Sequence, residues 1–399
     1  MHHLADDQPT GPLSGVRVLD LTRLLPGGFA TAILADLGAE VIKVEQPGQG
    51  DYMRWDDPKI GSESAHNWTN DRNKHSVALN LKDPRGTEAL KKMASKADIV
   101  FESFRPGVVD RLGVGYETIK EINPKIVYCS LTGFGQDGPQ SRDPGHDLNY
   151  AARAGITSIT GPADGVPTLP GVQIADLGGG AFFSVAGILA ALYRAATTGE
   201  GDYIDISMTD GAFAWTSIWM GDHFATGEDP EAGKMMLNGD SPCYQVYECS
   251  DGKFITVAAV EDQFFAEVCE VIGRPELMDT QFKTDQIPMW REIFLEKPRD
   301  EWLGMFAGHD VCVGPVNTFS EATADPQLNH REMIVDLDHE TAGTFKQIGS
   351  PVKLREHPAQ IRTPSPKLGQ HTHEYLEDAG LSEGEIRELL ADGVAANGA

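Results

Sequence analysis

The stretch that decides the fold is VRVLDLTRLLPGGFATAILADLGAEVIKVE, residues 16 to 45. Its apolar spacing predicts a short strand over Val16–Asp20, a helix over Pro26–Leu37 and a second strand over Val41–Glu45. A glycine follows the helix and a Pro-Gly pair follows the second strand. This order forms a βαβ unit, which predicts a parallel sheet. The turn that enters the helix is not G-x-G-x-x-G, which disfavours NAD as a ligand.

The alternation of strands and helices continues after this unit. We predict strands at Ser76–Leu81, Ile99–Glu102, Ile126–Ser130 and Tyr203–Ser207, and a helix over Asp83–Ala97. The fold class is therefore α/β, with a Rossmann-like large domain built on a parallel sheet.

A second, smaller domain of α+β type is predicted over residues 225–325. It contains two strands, Tyr244–Glu248 and Phe254–Ala259, around a Ser-Asp-Gly turn that is typical of a β-hairpin. A helix over Gln263–Ile272 follows the hairpin.

Charge is distributed unevenly along the 399 residues. The net charge of −27 excludes nucleic acid as a partner. Residues 1–130 are nearly balanced at −2, whereas the remainder carries −25. We therefore expect any anionic ligand to bind to the N-terminal third.

Cysteine usage and hydropathy indicate a cytoplasmic protein. The five cysteines are scattered without metal-ligand spacing, which is typical of reduced thiols and predicts no metal site. The N-terminus has no charged-then-apolar leader. The longest apolar run, Ala181–Leu192, is too short to cross a bilayer, so we expect no membrane partner.

One aspartate stands out because of its neighbours. Asp176 precedes Gly178, Gly179 and Gly180 and an apolar helical run to about Arg194. Amides at a helix N-terminus are unpaired and partly positive, and glycines let a ligand approach them closely. Asp176 is therefore a candidate base or nucleophile beside a backbone anion site. The alternative is that Asp176 is an ordinary N-cap.

Two further polar clusters lie at element boundaries, where catalytic groups often lie. The first contains His146 and Asp147, and the second contains Glu261 and Asp262. A His, an Asp and a Glu, namely His146, Asp176 and Glu261, could meet in one cleft if the two predicted domains face each other. Taken singly, His146 also suits a hydrogen-bonded turn and Glu261 suits an N-cap, and spacing does not choose between the adjacent residues of each pair.

The chain resembles the family III CoA-transferases, a superfamily that includes the α-methylacyl-CoA racemases. The resemblance extends from about Pro12 to about Leu390, and the segment Gly145–Tyr150 resembles the racemase branch. The other segments that carry it are Pro12–Thr22, Leu34–Glu45, Phe104–Val108, Leu131–Gln136, Thr198–Gly201, Cys312–Val316 and Leu368–His373.

The resemblance implies an architecture and a ligand. Residues 12–224 and 326–399 would form the large CoA-binding domain, with the small domain inserted at 225–325. The family forms interlocked homodimers whose active site lies between domains of different subunits. The substrate would be an acyl-CoA, and no cofactor is implied, because CoA is part of the substrate.

The resemblance also implies roles for the candidate residues. Asp176 matches the aspartate that transferases use as a nucleophile and racemases use as an acid or base, His146 the second racemase base, and Glu261 the glutamate that orients it. The leading hypothesis is racemisation of 2-methylacyl-CoA thioesters through an enolate, with the amides of Gly178–Gly180 as donors to its oxygen and Gly178 and Gly179 among the residues that bind CoA. The alternative is CoA transfer to a carboxylic acid, and a third interpretation is a non-catalytic protein that binds CoA esters.

Cations of the N-terminal third are candidates for binding the CoA phosphates. Lys43 lies in the second predicted strand, near the end at which nucleotide-binding α/β folds contact ribose or phosphate. Arg105, in Phe-Arg-Pro-Gly-Val, matches a position that the family uses near CoA and is the first choice. A solvated surface charge is the alternative for any one of them. The whole set is Arg23, Lys43, Arg72, Lys74, Arg105 and Arg111.

Overall fold

The structure is a computed structural model that describes residues 10–61, 63–339 and 343–398. These residues form two compact units. The first comprises the described residues of 10–154, 172–215 and 327–398, and the second comprises Gly155–Gly171 and Thr216–Pro326. The second unit therefore takes in a short segment before residue 172 that the sequence analysis places in the large domain.

Strands of both units are numbered in chain order. They are β1 (Arg17–Leu21), β2 (Glu40–Glu45), β3 (Lys59–Ile60), β4 (Glu63–Ser64), β5 (Lys74–Leu79), β6 (Ile99–Glu102), β7 (Val127–Thr132), β8 (Tyr203–Ser207), β9 (Tyr244–Glu248), β10 (Phe254–Ala258), β11 (Val313–Pro315), β12 (Ile334–His339), β13 (Gly343–Ile348) and β14 (Ala395–Ala396).

Helices are numbered in the same way. They are α1 (Leu24–Asp36), α2 (Ala65–Asn70), α3 (Pro84–Ala94), α4 (Val108–Leu112), α5 (Tyr116–Ile122), α6 (Asp147–Arg153), α7 (Phe183–Thr198), α8 (Met208–Ala214), α9 (Ser217–Thr226), α10 (Asp262–Val271), α11 (Ile287–Phe294), α12 (Arg299–Phe306), α13 (Phe319–Ala324), α14 (Pro326–His330), α15 (Thr372–Asp378) and α16 (Glu383–Ala391). A π-helical stretch, Ala175–Phe182, leads directly into α7.

A seven-stranded sheet forms the centre of the first unit. Its strand order is β14-β5-β2-β1-β6-β7-β8. The pairs from β5 to β8 are parallel, and only β14 at the edge runs antiparallel to its neighbour. The predicted α/β class with a parallel sheet is confirmed. The order reverses direction between β1 and β6, and in open parallel sheets ligands bind at the carboxyl ends of the strands at this point.

The sheet strands are buried on both faces, as is usual for parallel sheets covered by helices. Val18, Leu19 and Val77 have no exposed surface, and Ile99 and Val127 are equally buried. The predicted strands are present with ends shifted by at most two residues. Helix α1 begins two residues earlier than predicted, at Leu24, a residue whose φ of 62° lies in the left-handed region.

The helical run Ala175–Thr198 is longer than the apolar run seen in the sequence. It is long and apolar enough to cross a membrane by length and composition, but 44% of its most apolar window is buried inside the protein. Its helix α7 packs against β7 and β8. Burial of this kind is typical of a core helix of an α/β sheet.

The second unit has an antiparallel sheet and its own core. Strand β10 lies between β9 and β11 and pairs antiparallel with both, so the predicted hairpin is confirmed. Its core contains Tyr247, Phe265, Trp290, Phe294 and Trp302, all nearly inaccessible to solvent. This composition agrees with the predicted α+β class.

Candidate functional site

The reversal point of the first sheet presents two arginines. Arg23 follows the end of β1, and Arg105 follows the end of the neighbouring β6. The backbone N–H of Arg23 donates to Ser103 Oγ at 3.0 Å, which ties the two turns together. Arg105 is exposed and Arg23 is half-buried. Both guanidinium groups therefore lie where a nucleotide-like anion would bind.

Arg23 is held by aromatic rings. Its guanidinium carbon lies 5.2 Å from the centre of the Phe104 ring and 6.0 Å from the centre of the Tyr52 ring. Cation–π contacts of this length orient the planar group without consuming its hydrogen-bond donors. The arrangement leaves the donors of Arg23 available for phosphate oxygens.

Two of the other predicted phosphate ligands lie in the protein interior. The side chain of Lys43 is 1% exposed, with its Nζ 3.0 Å from Asp51 Oδ2 and 3.7 Å from Asp71 Oδ1. Lys74 is completely buried, 2.8 Å from Asp71 Oδ1 and 3.5 Å from Asp20 Oδ2. These ammonium groups already neutralise buried carboxylates, so the prediction that they bind CoA phosphates is corrected.

Arg72 is also an internal residue. Its Nε and Nη2 donate to the two oxygens of Asp36 at 3.1 and 2.7 Å, and its Nη1 donates to the carbonyl of Thr69. Burial raises the pKa of Asp36, and the guanidinium of Arg72 acts in the opposite direction. A bidentate pair of this kind fixes both groups geometrically. Arg72 is therefore a structural residue, which corrects its prediction as a ligand for CoA.

We expect Arg72→Met to destabilise the fold and to leave the affinity for CoA unchanged. The substitution leaves the carboxylate of Asp36 buried without its cation, a change that costs about 3–5 kcal/mol. Arg105→Ala serves as the opposite case, because it removes an exposed cation and should weaken CoA binding at an unchanged unfolding temperature. Thermal unfolding and calorimetric titration with CoA test both variants. Weaker CoA binding by Arg72→Met would contradict the assignment.

Asp176 lies at the first turn of the π-helical stretch, and a second carboxylate caps that turn. Asp147 Oδ1 accepts hydrogen bonds from the backbone N–H groups of Ala175 and Asp176, at 2.8 and 2.9 Å. Asp147 is therefore the cap of this helix, and Asp176 is not. The predicted unpaired amides at the helix start are thus partly satisfied by a side chain from α6.

The carboxyl group of Asp176 has an unusual environment. Burial, and to a smaller extent the carboxylate of Asp147, raises its pKa from 3.8 to about 7. A carboxyl group that titrates near neutral pH is suited to proton transfer in both directions. Single π-helical turns are also frequent at functional sites.

This pKa predicts how stability depends on pH. The folded protein binds a proton at Asp176 that the unfolded chain releases between about pH 4 and pH 7, so unfolding free energy falls as pH rises through this window. Asp176→Asn removes that fall. We expect it to stabilise the protein by about 4 kcal/mol well above pH 7 and to have little effect at pH 4.

Thermal unfolding of both proteins at a series of pH values measures this difference. The control is Asp202→Asn, which alters an exposed aspartate beside the opposite end of β8. A stability difference for Asp176→Asn that is constant from pH 4 to pH 8 would contradict the raised pKa.

The three glycines serve the packing of helices. A Cβ on Gly179 would lie 2.6 Å from Met208 O and from Ala212 N, so the π-helical stretch touches the backbone of α8 there. In a π-helix each N–H donates to the carbonyl five residues earlier, which occupies the amides of Gly179 and Gly180. A Cβ on Gly178 would lie 3.0 Å from Trp215 Nε1. The predicted use of Gly179 as a ligand donor is therefore corrected to close helix packing, whereas the use of Gly178 stays a prediction.

His146 occupies the turn before α6. It is exposed, and its backbone N–H donates to Asn149 Oδ1 at 3.0 Å. The next residue, Asp147, makes the two bonds to the start of the Asp176 helix. The structure thus brings the segments of His146 and Asp176 together, as the sequence analysis required.

Tyr150 packs against the turn that contains His146. Its hydroxyl donates to the carbonyl of Gly145 at 2.5 Å, and a Cβ on Gly133 or Gly145 would clash with its ring. Burial and then the carboxylate of Asp176 raise the pKa of Tyr150 to about 12, while the positive charge of Arg105 opposes the rise. Asp176 and Arg105 therefore both act on one buried hydroxyl.

Glu261 belongs to the second unit. It is the exposed N-cap of α10, and its carbonyl accepts hydrogen bonds from Phe264 and Phe265. Its predicted contact with His146 stays a prediction. Among residues 10–61, 63–339 and 343–398, no group of three or more His, Cys, Asp and Glu side chains is arranged to hold a metal ion.

Comparison with known proteins identifies the family. The model of CoA-transferase family III matches residues 13–372. The chain belongs to CoA-transferase family III. It is therefore an enzyme of that superfamily, and its similarity to curated members extends over almost its whole length.

Family III members of different activities are similar to this chain. Human succinyl-CoA:glutarate CoA-transferase is 38% identical over 96% of this chain and 90% of its own length. Human alpha-methylacyl-CoA racemase is 34% identical over 95% of this chain and 96% of its own length. A CAIB/BAIF family protein from Brucella suis has a crystal structure that matches with a TM-score of 0.82, at 29% identity over 93% of this chain and all of that chain.

Four residues around the candidate site have no role in the sequence-based prediction. Tyr150 is given no function there, and Asp147 is an alternative to its neighbour. Asp51 and Asp71, the partners of Lys43, are not among the predicted residues. The available signal was the position of Lys43 and Lys74 inside predicted or adjoining parallel strands, because a buried lysine requires internal carboxylates.

Proposed function

We propose that this protein is an acyl-CoA racemase that inverts C2 of 2-methylacyl-CoA thioesters by proton transfer, with no cofactor beyond the CoA of the substrate. Family membership and the racemases among its relatives support the acyl-CoA substrate. Two candidate bases, Asp176 and His146, support the reaction type, since inversion requires one proton-transfer group on each face of a planar enolate.

The observation that carries the proposal is the cap formed by Asp147. Its carboxylate bonds the amides of Ala175 and Asp176, and its backbone neighbour is His146. Two adjoining turns therefore carry the two candidate bases. The pKa of about 7 at Asp176 allows this group to start a turnover either protonated or ionised, which a reversible inversion requires.

In this mechanism the CoA portion binds to Arg23 and Arg105 at the reversal point of the sheet. For one enantiomer of the substrate, ionised Asp176 removes the C2 proton, and protonated His146 delivers a proton to the opposite face of the enolate. The roles reverse for the other hand. Glu261 would accept a hydrogen bond from His146 and strengthen it as a base.

CoA transfer is the second candidate, and the transferase relatives at 37–38% identity favour it. There the carboxylate of Asp176 attacks the thioester carbonyl and releases the CoA thiolate, leaving an acyl-aspartyl anhydride. The thiolate then attacks the Asp176 carbonyl, which releases the first acid and forms an aspartyl thioester. This route requires no second base at His146.

One incubation distinguishes the two candidates. The purified protein is mixed in D2O with one hand of a 2-methylacyl-CoA, with and without glutarate or oxalate. Deuterium at C2 together with loss of optical purity, independent of the acid, is the expected result. CoA appearing on the added acid with no deuterium at C2 would overturn the racemase proposal and make Asp176 a nucleophile.

We further propose that the enzyme is the interlocked homodimer that the family resemblance implies. The first unit exposes four large aromatic side chains, Phe182, Tyr193, Phe213 and Trp215, which are 47–75% exposed, and the ring centres of Phe182 and Trp215 lie 6.3 Å apart. Large exposed apolar groups of this kind mark interaction surfaces. Sedimentation equilibrium should give twice the chain mass of 43.2 kDa, and a monomer would contradict the proposal.

A further inference from the structure

The turn between β1 and α1 contains a residue in an unfavourable conformation. Leu24 has a φ of 62°, which places a branched, non-glycine residue in the left-handed region. There Cβ crowds the following carbonyl, so such residues persist only where their surroundings hold them. Leu24 is also partly exposed, directly beside the reversal point of the sheet.

Asp51 is the group that holds this turn. Its two carboxylate oxygens accept the backbone N–H of Leu24, at 3.2 Å and 3.0 Å. Oδ1 also accepts the N–H of Met53 at 3.1 Å, and Oδ2 lies 3.0 Å from Lys43 Nζ. With only 3% of its side chain exposed, Asp51 offers an acceptor that water does not compete for.

The two backbone segments that Asp51 bonds lie on either side of Arg23. Leu24 follows Arg23 directly, and Met53 belongs to the short 3-10 turn Tyr52–Trp55 that begins with Tyr52. The ring of Tyr52 is one of the two that hold the guanidinium of Arg23. One buried carboxylate therefore sets the backbone and an aromatic contact of an arginine that faces the CoA site.

We propose that Asp51 is a positioning residue for CoA binding, which acts by holding Leu24 in its left-handed conformation and so presenting Arg23 to the anionic part of the ligand. The inference rests on the proposed binding of a CoA ester at the reversal point. It assigns to the Lys43–Asp51 pair a role in ligand binding through backbone geometry, and not through direct contact with a phosphate.

The test must distinguish the proposed positioning role of Asp51 from a purely structural role as the partner of Lys43. All variants therefore carry Lys43→Met, which removes one positive charge together with the negative charge of Asp51 and leaves neither of the two groups buried without its partner. Asp71, the other carboxylate near Lys43, keeps Lys74 as its partner at 2.8 Å. In K43M/D51N the amide oxygen still accepts the N–H of Leu24. In K43M/D51A that acceptor is absent, and K43M/D51A/L24G adds a residue that adopts a positive φ without strain.

Isothermal titration with free CoA gives the affinity, and thermal unfolding shows that each variant folds. We expect K43M/D51A to bind CoA about tenfold more weakly than K43M/D51N, because holding Leu24 in its bound conformation now opposes binding. Adding Leu24→Gly should restore the affinity to within about threefold of K43M/D51N. A stability defect alone would not respond to that substitution.

Equal CoA affinity of folded K43M/D51A and K43M/D51N would overturn the inference and leave the proposed function intact. Failure of Leu24→Gly to restore binding in a folded triple variant would overturn it as well. A wild-type protein that binds no CoA would instead refute the proposed function, and the inference with it.

Discussion

Asp176→Asn is expected to abolish turnover, with inversion at C2 falling by about a thousandfold or more, because a group that exchanges protons with the substrate contributes on that scale. The amide is nearly the same size as the carboxyl and neither accepts nor donates the catalytic proton. CoA transfer would be lost as well, since an amide is not a nucleophile towards a thioester. The measurement is loss of optical purity of a 2-methylacyl-CoA, followed over time.

The affinity for free CoA tests whether the loss is chemical. We expect it to be unchanged in Asp176→Asn, because the substitution leaves Arg23 and Arg105, the proposed CoA ligands, in place. Asp202→Asn, which replaces an exposed aspartate at the opposite edge of the sheet, should retain wild-type turnover. Substantial inversion by Asp176→Asn would refute Asp176 as the central group of either mechanism.

His146→Ala is expected to abolish inversion and yet to preserve exchange of the C2 proton for one of the two substrate enantiomers. Asp176 can still remove the C2 proton of one hand, return a deuteron to the same face and so label that hand without inverting it. The other hand, whose proton His146 removes, should lose exchange by about a hundredfold to ten-thousandfold. Deuterium content at C2, measured separately for each hand in D2O, gives the result.

The same experiment on Asp176→Asn should give the opposite pattern. Only the enantiomer whose C2 proton is assigned to His146 should exchange with D2O. His373→Ala is a suitable control, because this half-buried histidine of α15 contacts Glu383 of α16 at 3.0 Å, in a different part of the first unit. Equal loss of exchange for both hands in His146→Ala would contradict the two-base mechanism. Unchanged inversion would remove His146 from the reaction.

The fold could be predicted from the sequence because its signals are local. Apolar residues recur at different intervals in the strand β1 and in the helix α1, so a few residues suffice to tell them apart. A glycine marks the end of the helix, and a Pro-Gly pair follows the next strand. The predicted strands and helices differ from the observed ones only in the positions of their ends. Helix α1 begins at Leu24 because a carboxylate 27 residues later holds its N–H, and no local pattern contains that contact.

The candidate site was predicted in part. The segments of His146 and Asp176 were selected from their composition and family resemblance, and the structure places them side by side. The bonds that join them run from Asp147 to amides 28 and 29 residues away. The pKa of Asp176 follows from burial and from that second carboxylate, and both depend on the packing of two helices.

The cations show the limit of sequence information most clearly. Lys43, Lys74 and Arg105 are alike in charge and all lie in or next to strands of the parallel sheet, so the sequence does not distinguish them. The structure buries the two lysines among Asp20, Asp51 and Asp71 and leaves the arginine exposed. Whether a cation meets a ligand depends on which carboxylates the chain brings to it.

The sequence by itself determined the α/β class, the order of strands and helices, the family and the identity of the candidate bases. Apolar periodicity and turn residues act between near neighbours, so they can be recognised along the chain. The tertiary structure alone decided that Asp147 caps the helix of Asp176, that the glycines pack against α8 and that Asp51 holds Leu24. Each of these depends on distances of a few ångströms between residues that are far apart in sequence.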